Sequence, residues 1–90
     1  MMENKRVILE KIADVLRNTS VAGPLNNGNA LVTIKYVEDK YGEWAVPIFE
    51  DGTGEPNEYW PHGYYAVNIT GDSGVAILMD ITHKFVERMW

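Results

Sequence analysis

Two runs of apolar residues at helical spacing stand near the ends of this chain, and the residues between them are patterned for strands and turns. That order restricts the fold to helices laid on a small sheet, because ninety residues hold one hydrophobic core and no second. The first run predicts a helix over 2–18: Ile8, Ile12, Val15 and Leu16 recur at i, i+4, i+7 and i+8, with Val7, Leu9 and Ala13 widening the stripe. The second predicts a helix that starts at Asp72 or Ser73 and runs to about Arg88. Its apolar face would be Ile77, Leu78, Ile81, Phe85 and Met89.

Between the helices, residues 30–37 alternate as a strand, with Val32, Ile34 and Tyr36 on one face and Leu31, Thr33, Lys35 and Val37 on the other. Residues 44–49 and 64–69 read as two more strands. Residues 19–29, with Gly23-Pro24 and Asn26-Asn27-Gly28-Asn29, read as a loop. The expectation is a single α+β domain over 1–90, ordered α-β-β-β-α, with a three-stranded, mainly antiparallel sheet and both helices on one face. Pro47 introduces a conflict, because a simple meander puts its strand in the middle and proline cannot donate to a ladder. Either Pro47 lies beyond the paired stretch or the third strand pairs with the first.

A sheet covered on one side leaves the other open. Leu31 and Val37, with either Trp44, Val46 and Ile48 or the residues alternating with them, would make that face apolar, and exposed apolar surface of that size marks interfaces. Trp90 adds to it, so a small homo-oligomer is expected. The absence of cysteine excludes disulfides, thiolate catalysis and cysteine-held zinc, and favours a cytoplasmic setting. Neither a spanning apolar run nor a signal-like stretch is present, so no membrane association is expected.

The charge is unevenly spread. Seven acids and one base fall between Glu38 and Glu58, while the whole chain carries −5. The acidity thus belongs to one hairpin and the loop after it, a surface that repels nucleic acid and attracts basic protein. That loop, 50–63, has fourteen residues with three glycines, two prolines and four acids, and carries Tyr59, Trp60 and His62. Connections of that length without regular structure are uncommon, and are often functional or disordered.

Motifs of catalysis are weak. Gly71-Asp72-Ser73-Gly74 has the look of a serine nucleophile segment, but four turn residues before a helix are explained by capping, and no base or orienting acid accompanies them. The same turn could instead offer helix amides to a phosphate, with nearby rings stacking on a base. Glu50–Glu55 lacks the alternating ligands of a calcium loop. His83 and Glu87, with Asp80, are too few for a catalytic zinc centre, so neither metal nor cofactor is expected.

The leading expectation is a small non-catalytic binding protein acting as an oligomer, an inhibitor or adaptor with the compositional character of phage or mobile-element inhibitors. Its partner-binding residues would be Glu50, Asp51, Glu55, Glu58 and Trp60. The alternative is a protein that sequesters a nucleotide or cyclic nucleotide through Trp60, His62, Tyr64, Gly71, Ser73 and Gly74. An enzyme would need two subunits to assemble a site that one chain does not show.

Overall fold

The computed structural model describes residues 2–18 and 30–89. In chain order it contains α1 (Met2–Asn18), β1 (Leu31–Asp39), β2 (Gly42–Phe49), β3 (Val67–Asn68) and α2 (Gly74–Met89). The α-β-β-β-α order and the α+β architecture are those expected. The loop expected over 19–29 and the contributions expected from the Met89 side chain and Trp90 lie outside the described residues.

The strands form an antiparallel meander, β1-β2-β3, so the proline-bearing strand is central. The pairing of β3 shows how that is tolerated. β3 meets β2 only at Trp44↔Asn68 and Ala45↔Val67. Just beyond, Ile69 N donates to Glu43 O at 2.8 Å, so the backbone groups of Glu43, and by alternation those of Ala45 and Pro47, turn toward β3. The missing N–H of Pro47 therefore falls on the β3 side, where pairing has stopped. Tyr64–Ala66, expected in the third strand, remain outside the ladder.

A bulge corrects the expected alternation of β1. Leu31 stands opposite Phe49 and Thr33 opposite Ile48, which leaves Val32 as an extra residue. Leu31 consequently joins Ile34 on the helix side, buried to 4% exposure, and Val32 is 47% exposed. The core lies between that face and both helices: Leu9, Ile12 and Leu16 from α1, Ile34, Ala45 and Phe49 from the sheet, and Ile77, Ile81 and Phe85 from α2. Leu78, expected in the buried stripe, is 39% exposed, since it sits one residue and about 100° around the helix from Ile77.

The opposite face of the sheet is not open. Val46 and Ile48 are buried although neither belongs to the core between sheet and helices. Residues 50–63 lie against them. Lys35 Nζ donates to Glu55 Oε2 at 3.2 Å, and the His62 ring stacks on the Trp44 indole. Gly54 and Gly63, both at positive φ, are the points of closest approach. A Cβ on Gly54 would overlap the Pro47 carbonyl oxygen, and one on Gly63 would stand 2.8 Å from Val46 Cγ1. The expected open apolar face is thus covered by the chain's own loop.

Candidate functional site: a fixed aromatic loop

Residues 50–63 contain no helix or strand, yet they are tied down throughout. Their first turn closes on itself through Gly52 N to Phe49 O and Phe49 N to Thr53 O, both 2.9 Å. At the far end the Asn57 side chain accepts from Tyr59 N and Trp60 N, while Trp60 O accepts from Asn57 N and Gly63 N. The Asn57 amide oxygen and the Trp60 carbonyl therefore hold the backbone around Trp60 in one conformation.

His62 fastens the loop to the β1–β2 hairpin. Its ring lies 3.9 Å from that of Trp44 at an interplanar angle of 9°, and meets Tyr41 edge-on at 5.8 Å. Nδ1 of His62 and Oδ2 of Asp39 are 2.5 Å apart. The other oxygen of Asp39 accepts from Tyr41 N and Trp44 Nε1. One carboxylate thus joins the hairpin tip, the stacked indole and the loop. A carboxylate-oriented histidine is also part of hydrolytic triads, but no nucleophile contacts this one among the described residues, and its surroundings are those of a fastening.

A ladder of edge-to-face rings supports Trp60. Phe49, in the core, meets Tyr65 at 5.6 Å; Tyr65 meets Tyr64 at 4.8 Å; Tyr64 meets Trp60 at 5.0 Å, each pair near perpendicular. The series runs from a buried ring to the surface. Trp60 and Tyr64 are each 51% exposed and Tyr59 is 79% exposed. A large ring already braced in one position, as Trp60 is by Tyr64, has less freedom to lose on being covered.

The acids named from the sequence occupy different situations. Glu55 is paired with Lys35. Glu50 Oε1 accepts from Ala30 N, and Asp51 Oδ1 accepts from Thr53 N. Glu58, next to Tyr59, is exposed and has no partner among the described residues. No lysine or arginine occurs between residues 50 and 63.

The turn Gly71–Gly74 is elsewhere. It lines a groove of about 770 Å³ with Lys5, Ile8, Lys11, Tyr36 and Glu43. Trp60, His62 and Tyr64 are not in that lining. Nor is the groove a simple anion receptor. Lys5 Nζ is bound to Glu43 at 2.5 Å, Glu43 also accepts from Tyr36 Oη, and Asp72 at the helix start is bound to Lys84. Burial and the neighbouring Glu43 push the Tyr36 hydroxyl up to about 12. Ser73, exposed, gives its carbonyl to Ile77 N as the first helical acceptor. His83 and Glu87 form an exposed pair at 3.2 Å, and no group of three metal-binding side chains occurs among the described residues.

Three carboxylates are depressed by these contacts, Asp51 by its hydrogen bonds from Thr53. Partial burial raises Asp39, but hydrogen bonds from His62, Tyr41 N and Trp44 outweigh it and hold the group below the usual aspartate range. Glu43 is held low by Lys5 and then Tyr36. A depressed carboxylate contributes stability above its unfolded value, and loses it as pH falls through its lower folded value. The melting temperature is therefore expected to fall as pH drops below about 4. Asp39→Asn should show a shallower fall over the same range by circular dichroism, and an unchanged slope would mean that Asp39 carries none of it.

Tyr41, Asp39 and Trp44, which seat His62, carry no sequence signal for that role. Asp39 ends β1 and Tyr41 lies in the hairpin turn before Gly42, but nothing in their spacing points to a residue in the loop that follows the second strand. No helix of the described residues is long and apolar enough to cross a membrane. Comparisons with family models, with curated proteins and with solved structures find no match to this chain.

Proposed function

We propose that this chain is a non-catalytic binding protein that engages a protein partner through the 57–64 segment, with Trp60 as the anchor. One observation carries the reading: Trp60 is half exposed while its backbone is hydrogen-bonded on both sides and its ring is braced by Tyr64. A half-exposed indole whose backbone is already fixed suits an interface anchor, because a partner pocket can receive it at little cost in freedom. The acids of the loop favour a basic partner surface and disfavour nucleic acid. Blocking a basic surface is how a small acidic inhibitor acts.

Self-association, expected from an open sheet face, no longer has that ground, because residues 50–63 cover the face. The nucleotide reading retains the groove beside Gly71–Gly74 but not the rings meant to stack on the base.

The test uses the whole chain as bait in its source cells. Wild type should capture a protein in stoichiometric amount. Trp60→Ala should capture at least about ten-fold less, as expected for an interface anchor, with its circular dichroism spectrum unchanged. Neutralising Glu50, Asp51, Glu55 and Glu58 together should also weaken capture and flatten its dependence on salt. Equal capture by wild type and Trp60→Ala would contradict the assignment of the loop.

A further inference from the structure

Given the loop as a protein-binding surface, its chemistry narrows what the partner presents. Three rings, Tyr59, Trp60 and Tyr64, are at least half exposed on the same short segment. Glu58 immediately precedes them in sequence, exposed and with no partner among the described residues. No cation of the segment is available to answer it. An apolar partner would cover Glu58 and leave a buried carboxylate unpaired, which is costly. An acidic partner would meet the like charges of Glu50, Asp51, Glu55 and Glu58. A partner cation satisfies both features at once, since aromatic faces attract cations and carboxylates pair with them. Elsewhere the chain makes the same contact internally: Lys40 Nζ stands 5.1 Å from the Tyr41 ring centre and Lys5 Nζ 5.8 Å from that of Tyr36.

We infer that the 57–64 surface receives arginine side chains of a protein partner. Arginine is favoured over lysine because its planar guanidinium stacks on rings, is more weakly hydrated and can still present N–H groups to a carboxylate. The Trp60 and Tyr59 rings supply the stacking surface, and Glu58 supplies the charge.

The experiment is an NMR titration of the isotopically labelled full chain with nona-arginine and, separately, nona-lysine, at equal concentration and near-physiological salt. Nona-arginine should shift the Trp60 indole and the amides of 57–64, and bind about ten-fold more tightly than nona-lysine. Tyr59→Ala and Trp60→Ala, each checked for an unchanged fold, should bring the two affinities together. Equal affinities in the wild type, or shifts centred outside 57–64, would overturn the inference. If a protein is captured through Trp60 and nona-arginine is no better than nona-lysine, the arginine preference is wrong and the binding loop stands. If capture is indifferent to Trp60, the binding loop itself falls.

Discussion

Alanine at Gly54 is expected to destabilise the protein by about 2–4 kcal/mol, and alanine at Gly63 by a similar amount. Both positions combine two costs. Each glycine has positive φ, +101° at Gly54 and +89° at Gly63, a conformation that a side chain makes costly. Each also lies against fixed backbone. A methyl group at position 54 would overlap the Pro47 carbonyl oxygen, and one at position 63 would overlap that of Gly54. Neither neighbour is the end of a flexible side chain, so the loop must lift from the sheet. Gly52 supplies the control: φ is +85°, but nothing lies within 4 Å of its Cβ position, so Gly52→Ala should cost only about 1 kcal/mol. Urea unfolding of the three variants checks the order. Equal losses at all three sites would mean that close packing of loop on sheet contributes nothing.

His62→Ala is expected to cost about 1–2 kcal/mol in global stability and a larger share of local order. It removes the ring stacked on Trp44 and leaves Asp39 without its partner across the loop. Asp39 keeps its bonds to Tyr41 N and Trp44 Nε1, so the hairpin should persist. Amide hydrogen exchange should therefore show loss of protection over 57–63 with little change in β1 and β2. Exchange rising equally everywhere would place His62 among ordinary core residues; no change would mean that the loop is held without it.

The helices and the hairpin were legible because periodicity fixes them locally. Ile8, Ile12 and Leu16 repeat at helical spacing, and 44–49 alternates against the first strand. The phase of β1 was not legible. Val32 and Leu31 are both apolar and β-compatible, and only the pairing of Leu31 with Phe49 reveals that Val32 is the extra residue. Leu78 was misplaced for a related reason: an apolar residue beside a buried stripe need not share it. The largest difference concerns residues 50–63. Their turn-rich composition made them look separate from the core, so the sheet face was read as open. What places them is non-local: Lys35 with Glu55, Trp44 with His62, and two glycines against backbone. Such contacts leave no periodic trace. Of the candidate residues, Trp60 and Tyr64 meet edge to face, and the Gly71–Gly74 turn lines a groove with Lys5 and Tyr36.

The most direct measurement of the central claim is native mass spectrometry on untagged wild-type protein isolated gently from its source cells. A fixed loop presenting Trp60 to a partner predicts the mass of this chain joined to a second polypeptide in defined stoichiometry, a complex that dissociates as salt is raised. The chain found alone, or carrying only a mass of nucleotide size, would contradict it.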